Sequence, residues 1–366
     1  QLPEAAAVLG FDYYPEIGST LRKIIAGENI ESHVPTDRRL VLPTAPVARP
    51  DVADTVAIPG MGPHVYRGRL NQAPWAPLKI ASGCDRRCSF CSIPSFRGSF
   101  VSRDPLEVIE EATWLGGHGV RELLLVSENS TSYGKDLGDL RSLERLLPAL
   151  TMLDGIEWVR VSYLQPAEVR PELLSIIAST PGVVPYFDLS FQHASADVLR
   201  RMKRFGDLDS FLTLINTIRG LNPQAGIRSN VIVGFPGETQ EDVDVLCEFI
   251  EQAQLDTLGV FGYSNEEGTT AYNLDGQLPD FEIESRVEHV SALVTRVADD
   301  VATERIGQSV KVLIESTDGD GRSEHQGPEV DGITTVYGRT SWVIGDIVDA
   351  VITDSDGIDL IAQVVS

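Results

Sequence analysis

Short apolar runs alternate with amphipathic stretches from about Ala76 to Arg305. The runs are Leu78–Ala81, Glu122–Val126, Trp158–Ser162, Pro185–Phe191, Ile227–Val233 and Leu258–Phe261. Their length and β-branched content read as buried strands. Helical stretches fall between and after them, near 105–115, 138–150, 167–178, 195–218, 239–254 and 282–304. Six such βα units predict a parallel sheet with right-handed crossovers. Eight would close a full barrel, so six predict an α/β fold with a partial, TIM-like (βα)6 barrel over residues 76–305. A doubly wound sheet remains the alternative, because periodicity does not separate the two. After Arg305 the pattern shortens to strand-like segments 308–315, 333–337, 347–353 and 358–365, separated by turns such as Asp318-Gly319-Asp320-Gly321. These predict a small all-β barrel or sandwich over 306–366. Upstream, seven prolines between Pro35 and Pro74 without periodicity suit an extended linker over 31–75. Residues 1–30 hold one helix-like stretch, Ile17 to Ala26, and read as the tail of a preceding unit.

Composition narrows the partners. The chain has 366 residues, 42% of them hydrophobic, enough for a buried core, and a formal net charge of −24. Such an excess of negative charge argues against a protein that coats nucleic acid and favours a basic or neutral partner. The apolar runs fall far short of the roughly 20 residues that span a bilayer, and no signal peptide is visible. The chain begins with Gln1, which reads as a chain lacking its native start.

Chemistry concentrates in the cysteines. Of Cys84, Cys88, Cys91 and Cys247, three lie within eight residues, in Ser82-Gly83-Cys84-Asp85-Arg86-Arg87-Cys88-Ser89-Phe90-Cys91. A disulfide framework would spread along the chain, so this is a ligand or redox cluster in a reducing, cytoplasmic setting. The loop follows the first strand, where α/β barrels carry their active face. Three thiolates can hold three irons of an iron–sulfur cube and leave the fourth open. The alternative is zinc, which wants four ligands, usually as close pairs. None of the six histidines lies in or beside the loop. Cys247 falls with Val243, Leu246 and Ile250 on one helix face and reads as a core residue.

The spacing Cys-x3-Cys-x2-Cys, with an aromatic just before the third cysteine, resembles the radical S-adenosylmethionine (SAM) superfamily. That resemblance implies a 4Fe-4S cluster on Cys84, Cys88 and Cys91, with SAM on the open iron. One-electron cleavage would then give methionine and a 5′-deoxyadenosyl radical that abstracts hydrogen. Longer stretches narrow the family. The run from Cys88 through Ser92-Ile93-Pro94-Ser95-Phe96-Arg97-Gly98 to Arg103 is similar to the methylthiotransferases. So are Ser127-Glu128-Asn129, Gln192-His193-Ala194-Ser195 and Val233-Gly234-Phe235-Pro236-Gly237-Glu238-Thr239. Within them the chain resembles the RimO branch, which modifies an aspartate of the small-subunit ribosomal protein S-twelve. The tRNA-modifying MiaB branch is the alternative. The C-terminal segment resembles a TRAM domain, an OB-like barrel used in substrate capture. Family resemblance also implies an electron donor such as flavodoxin or ferredoxin. Full-length relatives carry three further N-terminal cysteines for a second 4Fe-4S cluster. Nothing upstream of Cys84 is a cysteine, so one cluster is expected here, with SAM cleavage but without completed methylthiolation.

The resemblance suggests Phe90, Glu128, Gln192 and Gly234 as cofactor-binding positions and names no catalytic side chain. Phe90, Gly234 and several neighbouring residues have a plainer reading as well. Phe90 packs on the cluster, on the adenine, or in the core. Gly234 lets SAM approach the backbone or serves a tight turn before a helix capped by Thr239. His193 is catalytic or a core histidine. Arg97 and Arg103 bind a carboxylate or form surface salt bridges. The basic run Arg200–Arg204 is a solvated helix face or a phosphate contact. Between Ile306 and Ser366 there are eleven acidic and three basic residues. Such a barrel should repel RNA and attract a basic ribosomal protein.

Overall fold

The computed structural model describes residues 7, 9, 17–30, 69 and 71–365. The expectations for 1–30 and for the linker over 31–75 therefore fall mostly outside the described residues. After α1 (Ile17–Ile25) come β1 (Trp75–Lys79), β2 (Ala81–Ser82), α2 (Ile93–Arg97), β3 (Val101–Ser102) and α3 (Pro105–Gly117). Next are β4 (Glu122–Val126), α4 (Ser142–Thr151), β5 (Trp158–Val161), α5 (Pro171–Ser179), β6 (Tyr186–Gln192), α6 (Ala196–Arg201) and α7 (Leu208–Leu221). Then follow β7 (Gly226–Val233), α8 (Gln240–Ala253), β8 (Thr257–Gly262) and α9 (Asp280–Glu304). The C-terminal part holds β9 (Ser309–Ile314), β10 (Asp320–Ser323), β11 (Thr334–Tyr337), β12 (Ile347–Asp356) and β13 (Asp359–Val364).

β1, β4 and β5 pair in parallel, as do β6, β7 and β8. Parallel bridges Val159–Val183 and Leu164–Leu189 join the two sets. The six strands thus lie in sequence order, with no reversal point such as a doubly wound sheet requires. Among the described residues β1 and β8 do not pair, so the barrel is open. β7 shows how the sequence builds it: Ile227, Ser229, Val231 and Val233 are buried, while Arg228, Asn230 and Ile232 are half-buried on the alternate face. Helix faces cover the outside, for example Phe211, Ile215 and Ile218 of α7 and Val243, Leu246, Phe249 and Ile250 of α8. Phe191, Phe211 and Phe249 meet edge-on or tilted, with Phe191 centroids 4.5 Å and 5.3 Å from the other two. Each such buried side chain contributes about 1.5–3 kcal/mol.

Three expectations need correction. The first strand begins at Trp75, one residue inside the stretch read as linker, and Ala81–Ser82 belongs to a separate hairpin with Val101–Ser102. The helix expected over 195–218 is two helices. Gly206 has φ +127° and its place beside the Phe211 ring leaves no room for a Cβ; Asp207 then caps α7. In the C-terminal part, Asp320 and Gly321 open β10 rather than completing a turn. With this fifth strand the barrel closes in the order β10-β11-β13-β12-β9, the β11–β13 pair being parallel. That is a five-stranded OB-like arrangement.

The small barrel covers the N-terminal ends of the large barrel's strands. Glu122, at the start of β4, is fully buried between Arg160 Nε (2.6 Å) and Arg322 Nη2 (2.6 Å). Arg160 also donates to the Glu324 carbonyl at 2.7 Å. The Tyr186 hydroxyl donates to Asp331, and Arg228 Nε lies 3.0 Å from Asp331 Oδ1. Burial opposes charge on Glu122, but the two guanidinium groups outweigh it and hold its carboxyl below the ordinary value. At Gly226 a Cβ would lie 2.5 Å from the His325 carbonyl oxygen, so the two barrels touch backbone to backbone. The cysteine loop sits at the opposite end.

Candidate functional site

The cysteine loop leaves the β2–β3 hairpin through Gly83, whose φ is +81°. A Cβ there would lie 2.1 Å from the Ser99 carbonyl oxygen, so only glycine fits. Cys84 N donates to the Gly98 carbonyl at 3.2 Å, and Cys91 N to the Cys88 carbonyl at 3.2 Å. The second bond closes a turn that brings Cys88 and Cys91 together before α2 begins. All three thiols are free and half-buried. Arg86, between the first two, pairs with Glu168 at 2.6 Å. Burial opposes charge on Glu168, but donors Asn129 and Ser132, each 2.9 Å away, and the Arg86 charge hold it below the ordinary value. The loop is thereby tied to the segments following β4 and β5.

Burial pushes the Cys84 thiol up to about 11 and raises that of Cys91. Both therefore stay protonated at neutral pH until a metal takes the sulfur. Among the described residues no three His, Cys, Asp or Glu side chains converge on a point that would hold one metal ion. Thiolates on separate irons of a cube need no such point. Cys247 lies elsewhere, on α8, partly buried against the core with its Sγ 3.7 Å from His289 Nε2. Among the described residues the donor set thus fits three corners of an iron–sulfur cube and supplies no four-ligand zinc site.

Beside the loop opens a cavity of about 330 Å³ lined by Phe90, Gln192, Asn230, Ile232, Tyr263 and Glu266, among others. Of the positions suggested from sequence, Phe90 and Gln192 line it. Gln192 closes β6 with φ +74°, an unusual conformation for a residue with a side chain. Glu128 pairs with Lys79 (3.4 Å) and Arg97 (3.2 Å), while its buried Oε2 has no hydrogen-bond partner. Asn230 Oδ1 is likewise buried and unpartnered. Gly234 does not line the cavity. It has φ +77° and lies so close to Ile283 of α9 that a Cβ would stand 2.7 Å away. Its amide donates to Glu238 Oε1 at 2.8 Å.

His193 is fully buried, its Nε2 3.3 Å from Glu238 Oε2, and it belongs to a structural cluster with Arg286. Arg103 is buried against Glu111 at 2.6 Å and the Lys79 carbonyl. Thr239 caps α8 as expected. Sequence reasoning missed Asn230 and Ile232. The signal was available: polar Arg228 and Asn230 alternate with apolar residues along β7, which marks an inward face that is not packed core.

Comparison with known proteins matches the two barrels to two families. The family described as the radical SAM superfamily matches residues 78–250, and that of the TRAM domain matches 306–365. A relative from Nocardioides sp., named ribosomal protein uS12 methylthiotransferase RimO, is 60% identical over 371 residues, covering 99% of this chain and 77% of the relative. Proteins of the same name from Kineococcus radiotolerans and Cutibacterium acnes are 57% and 54% identical, with 99% of this chain covered in each case and 78% and 79% of the relatives.

Proposed function

The chain belongs to the RimO family of radical SAM methylthiotransferases, and from that premise we propose how its own residues serve the reaction. It is an enzyme that adds a methylthio group to the β-carbon of an aspartate of ribosomal protein uS12. The strands and helices from Trp75 to about residue 305 are the catalytic unit, and 306–366 the TRAM unit. Cys84, Cys88 and Cys91 hold one 4Fe-4S cluster. When bound, cluster and SAM supply a one-electron cleavage that delivers a hydrogen-abstracting radical.

The chain's residues place and shield that chemistry. The Glu168–Arg86 pair fixes the loop between Cys84 and Cys88. Phe90 and Gln192 wall the cavity. Glu128 and Asn230 offer unpartnered oxygens that suit an ammonium or hydroxyl group of a ligand. Gly234 lets Ile283 of α9 pack closely against the turn after β7. The observation that carries the reading is the set of three half-buried thiols in one loop at the mouth of an open barrel, beside a cavity with unpartnered polar atoms.

The acidic C-terminal barrel favours a basic protein over RNA. Lying at the end opposite the cysteine loop, it acts by steering a basic partner rather than by lining the cavity. No helix among the described residues is long and apolar enough to cross a membrane, and the reading places the enzyme in the cytoplasm with a flavodoxin- or ferredoxin-type donor. Mass spectrometry of uS12 incubated anaerobically with the reconstituted chain, SAM, a low-potential reductant and sulfide tests the reading. A methylthio gain on an aspartate supports the substrate and the reaction, and overturns the expectation that one cluster cannot complete methylthiolation. Modified tRNA with unmodified uS12 would favour the MiaB-type alternative. Production of 5′-deoxyadenosine without product would assign sulfur delivery to a second cluster outside this chain.

A further inference from the structure

The basic run after α6 is not one surface. Arg200 faces solvent beside Asp197 at 2.5 Å. Arg201 turns inward and donates to the Pro236 carbonyl at 3.0 Å. Lys203 has φ +56°, a left-handed conformation costly for a residue with a side chain. That reversal sends Arg204 back under α6, where its amide donates to the Leu199 carbonyl at 2.7 Å. Its Nη2 donates to the Ser190 carbonyl of β6, and its Nη1 stands 3.7 Å from Cys88 Sγ. The segment is stitched to the cysteine loop by Ser89, whose amide donates to the Met202 carbonyl (3.0 Å) and whose hydroxyl donates to the Arg201 carbonyl (2.8 Å). A strained turn, a seam of two hydrogen bonds and a carbonyl anchor thus fix one guanidinium against one sulfur.

We propose that Arg204 is a positioning residue of the cluster, holding the Cys88 sulfur by an N–H···S bond and fixing a positive charge beside it that raises the cluster's reduction potential. This rests on the reading that Cys84, Cys88 and Cys91 hold the cluster. Reduction adds one electron from an external low-potential one-electron donor and makes or breaks no bond. The added negative charge is stabilised by a nearby cation, most effectively where the pair is partly shielded from water. The effect is therefore on electron uptake, before any substrate is present. Arg201 lacks a sulfur partner and serves the Pro236–Gly237 turn instead, so the two arginines divide the labour of the run.

The test is an electron paramagnetic resonance redox titration of the whole chain, reconstituted anaerobically without SAM, with iron counted for each protein. Native protein lacking iron would overturn the cluster reading itself and is distinguished at that step. With native protein loaded, Arg204→Gln is expected to keep its iron and lower the reduced-to-oxidised ratio at fixed poise about tenfold, a fall of about 60 mV for a one-electron couple. Arg204→Lys, which keeps the charge, should shift by less than half as much. Arg204→Gln with full iron and an unchanged potential overturns the proposal. Should Arg204→Gln lose its iron, Arg204→Lys decides: full iron near the native potential supports a need for charge, and loss of iron in both variants contradicts it.

Discussion

At the N-terminal ends of the barrel strands Glu122 is gripped by Arg160 and Arg322, while at the C-terminal ends Glu128 keeps one buried carboxylate oxygen without a partner. Both ends carry charged side chains in the barrel mouth. At the first, a second barrel arrives with Arg322, Glu324 and Asp331 to meet them. At the second, Asn230 also lacks a partner and a cavity of about 330 Å³ stays open. The comparison teaches where stability and chemistry are separated. Buried atoms without a hydrogen-bond partner occur at both ends, Arg160 Nη2 among them at the closed one. What differs is that opposite charges from the second barrel fill the closed end, while the other keeps an open cavity beside Asn230.

The sharpest way to break this division is to mutate each end and ask what is lost. Replacing any of Cys84, Cys88 or Cys91 by Ala should abolish SAM cleavage, read as 5′-deoxyadenosine, while leaving the unfolding midpoint of the iron-free protein nearly unchanged. Cys247→Ala should retain full cleavage and cost no more than about 1 kcal/mol of packing. Loss of cleavage in Cys247→Ala would mean that the fourth thiol serves the cluster after all.

At the closed end the order reverses. Arg322→Met leaves Glu122 with one partner and should destabilise by about 3–5 kcal/mol in denaturant unfolding, because it strands part of a buried charge. Replacing Glu122, Arg160 and Arg322 together by apolar residues of similar size should cost much less. Gly226→Ala presses a Cβ against the His325 backbone and should cost about 1–3 kcal/mol. If either variant lost iron before it lost stability, the two ends would not be independent.

The smallest effect is a pH dependence. His325 is fully buried at the junction, and burial, with Arg305 and Arg160 adding to it, holds its pKa well below the ordinary value. A depressed folded-state value means that the unfolded chain takes up the proton first. The stability from His325 is thus fully present above about pH 6.5 and drains away as pH falls toward the folded value, by up to about 1.4 kcal/mol per pH unit. His325→Asn should flatten the difference in unfolding midpoint between pH 7 and pH 5.5. An equal slope in both proteins would remove His325 from the account.

Much of the fold was legible because its signals are local. The runs Glu122–Val126 and Ile227–Val233 became β4 and β7 nearly residue for residue, and the spacing of Cys84, Cys88 and Cys91 pointed to one loop as the candidate site. Other features were hidden for physical reasons. Glu122 and Arg322 are 200 residues apart, and no periodicity announces their bond. β10 opens with Asp320 and Gly321, which read as part of a turn, and closure of the barrel overrides that propensity. Arg204 looked like one charge in a basic face because a left-handed turn at Lys203, not sequence spacing, aims it inward.

The central claim is that the cysteine end holds one SAM-cleaving cluster. The most direct measurement is anaerobic reconstitution of the chain, followed by metal analysis and a reductive SAM-cleavage assay on the same sample. The account predicts about four irons per chain, no zinc, and 5′-deoxyadenosine that disappears when any one of Cys84, Cys88 or Cys91 becomes Ala. A single tightly bound zinc, or four irons with no 5′-deoxyadenosine, would contradict it.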